Sequence, residues 1–270
     1  RLGLMLWHHD GWLLPDMGTT GYGAKMHYDY YKNSATHNTL SVNQTNQPPA
    51  NPQVSGWHMD SDALWLDSEV DWGKPPPELD SHSRVEWDAT AWRDVRFRRR
   101  LLWLEEVLID LSTVENPHRQ QLDWTLHLAA QALDQSGTPQ PFSLSGPLRH
   151  MANATMAPLN GCQPRHFARD GDTVALWLSG DGELWQGVAP DNPATHDLSY
   201  LVIRSHLPQA RFVCLWDFAN SAPLTEVQVN HTPVGTQITF WRGERVTHVT
   251  LYDAPGKRPD AIFPFAESGT

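Results

Sequence analysis

No part of the chain carries a sustained 3.6-residue apolar period. Apolar segments of strand length recur instead, separated by Gly, Pro, Asn and Asp. The clearest runs from Trp92 to Trp103, where Val95, Phe97 and Arg99 alternate with Arg96, Arg98 and Arg100. A period of two describes a strand with one covered face. Further strands are predicted at 39–42, 63–70, 84–87, 106–114 and 122–128. After a polar gap at 134–147 come 174–178, 183–188, 198–205, 211–218, 225–229, 237–241 and 245–252. The opening reads as a hairpin, with apolar residues at 2–7 and 12–14 about the turn His8-His9-Asp10-Gly11. Many short strands with turn residues between them predict an all-β fold, a layered antiparallel β-sandwich with little helix. Its first part is residues 1–133 and its remaining strands 134–270, read as one continuous domain with 134–147 as a loop or a seam between layers.

The chain has 20 Lys and Arg against 31 Asp and Glu, a formal charge of −11. That sign argues against nucleic acid as a partner, yet a local cation cluster can still hold an acidic sugar. No run of 18 apolar residues is present to span a bilayer. His8, His9 and Asp10 interrupt the opening, so it is not read as a secretion signal. It begins inside a strand without Met, which suggests that residue 1 is not the native start. Cys162 and Cys214 are left open as paired or free. Thirteen Trp fit either a β-rich core or a surface on which indoles stack against sugar rings.

The segment 14–42, LLPDMGTTGYGAKMHYDYYKNSATHNTLSV, concentrates the groups able to do chemistry. Its glycines allow close backbone approach, and its Tyr, His and Lys are suited to proton transfer on a sugar. Within it, PDMGTTGYG and then HYDYYKNSATHNTLSVNQ resemble the β-sheet domain of heparinase II/III-type polysaccharide lyases, most closely the exolytic oligoalginate lyases. The resemblance continues through WLDSEVDWGKPPPELDSHSRVEWD, Arg98-Arg99-Arg100-Leu101, Val114-Glu115-Asn116-Pro117 and Asp123-Trp124-Thr125-Leu126-His127, and fades beyond Asp134.

The resemblance implies a two-part enzyme, an α/α toroid followed by a supersandwich-like β domain, in the bacterial periplasm or cytoplasm. It implies β-elimination on a uronic-acid polymer: removal of the carbon-5 proton, neutralisation of the carboxylate, and protonation of the leaving oxygen. It also implies a structural zinc whose ligands match Asp16 and His37, with a further His expected upstream of Arg1 together with a catalytic His. His8-His9-Asp10 is not read as their replacement. With the toroid missing, the fragment alone is expected to be inactive or nearly so.

Tyr22 and Tyr28 are the candidate catalytic residues, and Lys25, His27 and Tyr30 the candidate substrate-binding ones. Competing readings stand beside these. Asp16 can cap a turn beside Gly18, and His37 can be a core histidine. Lys32 and Arg93 are further carboxylate partners. Arg96, Arg98 and Arg100 form a solvated or ion-paired face, with an anionic-sugar groove as the alternative. Trp57, Trp65 and Trp72 are read as packing, and Asp110, Asp123 and His127 as structural. The rival functions are a non-catalytic carbohydrate-binding module and a purely structural sandwich.

Overall fold

The computed structural model describes residues 1–61, 63–74, 86–134, 137–139, 146–219 and 221–262. Among them the fold is three antiparallel layers. The middle layer has eight strands in the spatial order Gln53–Met59, Ala63–Asp71, Arg96–Leu104, Val107–Glu115, Gln209–Asp217, Asp172–Gly180, Gln163–Arg169 and Gln131–Ala132. One of its faces meets six strands in the order Thr138–Pro139, Ala152–Leu159, Gly182–Pro190, Asp197–Ser205, Leu122–Leu128 and Leu40–Val42. The other meets four: Glu226–Thr232, Gly235–Arg242, Arg245–Tyr252 and Asp260–Ile262. Strands from both sides of residue 134 share the first two sheets, so that gap separates no layers. No helix among the described residues is long and apolar enough to cross a membrane.

Two cores follow from this layering. Between the six- and eight-stranded sheets lie Leu122, Trp124, Leu126, Phe97, Phe212 and Trp216. Between the eight- and four-stranded sheets lie Leu102, Ile109, Leu215, Ile238, Phe240 and Leu251. The middle sheet is therefore covered on both faces, which changes the reading of Arg96–Leu104. Its alternation separates two buried faces, not core from solvent. Phe97, Leu101 and Trp103 belong to the first core, and Leu102 and Leu104 to the second.

Arginines in such a strand must be paired, because an uncompensated buried charge is costly. Arg98 forks onto both carboxylate oxygens of Asp67, at 2.7 and 2.6 Å. Arg99 does the same with Asp110. Arg100 is only 1% exposed and donates to the Tyr252 carbonyl and to Asp253. Burial and the neighbouring Arg98 bring Arg100 down to about 10. The sugar-groove alternative therefore fails for Arg98 and Arg100, which lie beneath the four-stranded sheet; Arg96 alone of the three is exposed.

Several strands differ from expectation. Residues 89–94 are a turn, shaped by Asp88, which accepts from the Thr90 and Ala91 amides, and by Asp94 at φ +60°, so the strand begins only at Arg96. Of the predicted strand 84–87, residues 84 and 85 lie outside the described residues and Glu86 and Trp87 are not in a strand. Strands Gln53–Met59, Ala152–Leu159 and Gln163–Arg169 carry no clear alternation and were not predicted. Trp65 and Trp72 are packed as expected, but Trp57 is 70% exposed on the edge strand. Cys162 and Cys214 are both free.

Candidate functional site

The strand Leu122–Leu128 builds the site. Its even-numbered side chains enter the first core. Asp123, Thr125 and His127 lie on the other face, where Asp123 pairs with Arg204 and Thr125 and His127 meet the segment 14–39. Thr125 Oγ1 donates to the carbonyls of His37 and Thr39, at 2.7 and 2.9 Å. Residues 27–31 form a turn of π-helix, and Ser34–Thr36 a short 3-10 turn, laid on the outer face of the six-stranded sheet. Met17, Tyr30, Tyr31 and Ala35 pack there against Leu198, Tyr200 and Val202.

Asn38 is the clip. It is buried, and its side-chain amide donates to the carbonyls of Leu4 (3.0 Å) and Pro15 (2.8 Å) while its oxygen accepts from the His127 amide at 2.7 Å. Three distant segments are thereby joined at one residue. The buried Arg99 fastens the same point from the middle sheet, donating to the Leu2 and Asn38 carbonyls at 2.7 and 2.6 Å. Holding Pro15 against Asn38 brings the next residue, Asp16, to the preceding one, His37. His37 Nδ1 lies 3.1 Å from both Asp16 carboxylate oxygens. That contact, with the Gly18 amide donating to Asp16 at 2.6 Å, lowers the Asp16 pKa against the opposing effect of burial. Asp16 thus both caps its turn and pairs with His37.

Beneath the pair His127 is fully buried, stacked on Tyr200 at 4.0 Å between ring centroids. Neither ring nitrogen has a partner. Burial, reinforced by the charge of His37, pushes His127 down to about 3.

The remaining candidates divide by exposure. Tyr22 is 79% exposed, and Lys25 and Tyr28 are exposed as well. The His27 ring is buried between Tyr22 and Tyr28, with centroids 4.8 and 4.6 Å away. Its Nδ1 lies 2.6 Å from the Thr20 carbonyl, an acceptor only, so Nδ1 carries the proton. His27 therefore supports the two tyrosines and does not itself face solvent. Tyr30 is also misplaced by the sequence reading. It is 0% exposed, packed on Tyr31 and His150, and burial raises its pKa far above the ordinary value. A side chain in the core cannot contact a polymer at the surface. Arg93 lies on the turn after Trp92, donating to His118.

Zinc takes three or four ligands. Asp16 and His37 supply two, and no group of three His, Cys, Asp or Glu able to hold a metal occurs among the described residues. These residues therefore do not by themselves fit a zinc site.

The family described as heparinase II/III-like, C-terminal, matches residues 1–213, most of the chain and all of this site. The chain belongs to that family. Among solved structures it is similar to a heparinase III (the BT4657 gene product), with TM-score 0.57 and 10% identity over 92% of this chain and 35% of that one. It is also similar to the heparan sulfate lyase HepC from Pedobacter heparinus, with TM-score 0.53 and 11% identity over 97% of this chain and 36% of that one. At such identities the likeness is one of fold. The chain spans about a third of the length of these proteins. No curated protein matches it. As a member of the heparinase II/III-like C-terminal family, the chain has in the Asn38 clip the feature the sequence reading missed. Its signal was the polar H-N-T immediately before the apolar Leu40-Ser41-Val42.

Proposed function

We propose that this chain is the β-sandwich part of a polysaccharide lyase that cleaves a uronic-acid polymer by β-elimination, and that it supplies one wall of the substrate cleft. The observation carrying this reading is the exposed set Tyr22, Lys25 and Tyr28, on the π-helical turn and the segment leading into it, between Asp16 and His37 in sequence, in a chain of this family. In the elimination the C–H bond at carbon 5 and the bond from carbon 4 to the leaving oxygen both break. A double bond forms between the two carbons, and the leaving oxygen gains a proton. Lys25 would offset the substrate carboxylate, and the hydroxyl of Tyr22 or Tyr28 would carry a proton at the leaving oxygen. The rest of the proton-transfer apparatus is assigned to a partner α/α toroid domain.

An alginate-like polymer is favoured over a sulfated one. Sulfate-rich chains need dense positive charge, whereas the net charge here is −11 and Arg149 beside the π-helical turn is paired with Asp29 at 3.3 Å. Zinc enters this reading only with a third ligand from outside the described residues. Elemental analysis of the full-length protein and its Asp16→Ala variant tests that: zinc lost in the variant supports it, and equal content removes it.

The decisive experiment mixes full-length protein with alginate, heparan sulfate and chondroitin chains and follows the ultraviolet absorbance of the new double bond. A rise with alginate supports the whole reading, a rise with a sulfated chain alone corrects the substrate, and no rise with any uronate polymer refutes it. Exposed Trp7 and Trp12, packed edge to face at 5.1 Å on the opening hairpin, favour a carbohydrate-binding module as second reading. Tight oligosaccharide binding without any absorbance change would select it.

A further inference from the structure

The middle sheet is wider than the six-stranded sheet laid over it, which ends at Leu40–Val42. The opening segment continues the cover by one strand. Its Leu4 amide donates to the Asn38 carbonyl at 3.1 Å, its Leu2 carbonyl accepts from Arg99 of the strand Arg96–Leu104, and Leu2 and Leu4 pack against the first core. The strands Ala63–Asp71 and Gln53–Met59 lie farther out. Register fixes what they present on that side. Leu64 and Leu66 pair with Trp103 and Leu101, on the face of the first core, and Met59 and Trp57 pair with Leu64 and Leu66 from the edge strand. Val54 and Trp57 are three positions apart, so plain alternation would send them to opposite faces. A bulge between Val54 and Gly56 adds one residue, and Val54, opposite Ser68, rejoins the face of Leu64 and Leu66.

The outcome is an apolar shelf. Trp57, Met59 and Val54 are 70, 66 and 61% exposed, and Leu64 is 40% exposed. Together they show solvent an apolar surface on the order of 400 Å², within the range of functional patches. The strand that carries three of them is a sheet edge, and Gln53–Met59 holds no Pro, Lys, Arg, Asp or Glu to discourage a partner.

We propose that this shelf seats the N-terminal domain of the full-length protein, which lays apolar side chains against Trp57, Met59 and Leu64. Two observations select that occupant over a second copy of the chain. The family match is to a C-terminal domain, and the chain spans only 35 and 36% of the two lyases whose fold it shares. Arg1 is fastened at the margin of the shelf: its Nε donates to the Ala50 carbonyl at 2.8 Å and its amine to Gln47, on the segment that enters the strand Gln53–Met59. A domain joined through Arg1 is therefore held at the shelf at high effective concentration, whereas a second copy must meet the whole cost of association. The inference rests on the two-part reading above and not on the elimination chemistry.

The test uses the full-length protein. A photoreactive benzoylphenylalanine is placed at position 57, which is at the surface of the sandwich and carries an aromatic ring already. Wild type is oxidised separately with dilute peroxide, and both samples are read by peptide mass spectrometry. Cross-links from position 57 into peptides of the N-terminal domain are expected. Met59 in wild type should oxidise at least about tenfold more slowly than in a synthetic peptide of residues 53–64. Cross-linked dimers in their place give the shelf to a second copy and overturn the proposal. Met59 oxidised at the rate of the peptide, with no cross-link into the N-terminal domain, overturns it as well. Cross-links into that domain without unsaturated product from any uronate polymer leave the docking standing and remove the lyase reading; product without those cross-links does the reverse.

Discussion

Replacing Asn38 with Asp keeps the size and shape of the side chain but turns its two-donor nitrogen into an oxygen. The two hydrogen bonds to the Leu4 and Pro15 carbonyls are lost, and the bond accepted from the His127 amide remains. Each lost bond contributes about 1 kcal/mol net, and a carbonyl left facing a buried oxygen adds a desolvation penalty of similar size. Because Leu4 and Pro15 are only half-buried, water relieves part of that penalty. The expected destabilisation is about 3 kcal/mol, equivalent to a melting midpoint lower by roughly 6–12 °C for a protein of this size. Urea unfolding followed by fluorescence of the buried Trp92, Trp124 and Trp216 measures it. The same substitution releases Pro15, so Asp16 should separate from His37 and its carboxyl pKa should rise toward the ordinary value, which carbon-detected NMR titration reports. A loss below about 1 kcal/mol, with the Asp16 titration unmoved, would refute the assignment of Asn38 as the residue that assembles the pair.

Four further outcomes are expected. His127 is neutral in the fold, with its pKa pushed down to about 3 from an unfolded value of 6.5. Its contribution is complete above pH 6.5 and is lost as pH falls toward 3, about 2 kcal/mol by pH 5. His127→Phe, stacked on Tyr200, should flatten the stability–pH curve over that window, and parallel curves for variant and wild type would contradict it. Tyr22→Phe in the full-length protein should lower kcat by about 10²–10⁴ with KM little changed, as initial-rate kinetics on alginate would show; unchanged turnover removes Tyr22 from the chemistry. Tyr30→Phe, a core change that leaves the surface alone, should keep KM at the wild-type value in the same assay. Gly182→Ala would set a Cβ 1.9 Å from the Arg204 carbonyl oxygen at φ +156°, and should cost more than about 3 kcal/mol by chemical denaturation.

Residue order alone settles the all-β class, the opening hairpin and most strands of the two halves. Alternation is a local property, carried by neighbours such as Phe97 and Arg98 whatever lies above them. The family resemblance, and not alternation, marked Asp16 and His37 as a pair worth testing. The number of layers is not local. Arg96, Arg98 and Arg100 read as a solvated or ion-paired face; they are ion-paired, but nothing within a strand states that a third sheet, contributed by residues 226–262, will cover the side bearing Arg98 and Arg100. Tyr30 was misread for a related reason. In the π-helical turn His27 to Tyr31, exposed and buried side chains follow the winding of the backbone, and the outer face of the six-stranded sheet decides which of them it covers.

The local pattern of the chain decides which segments extend and where they turn. Assembly decides which of those surfaces meet, because Asn38 reaches its partners across 34, 23 and 89 positions of sequence and no short-range preference can specify such contacts.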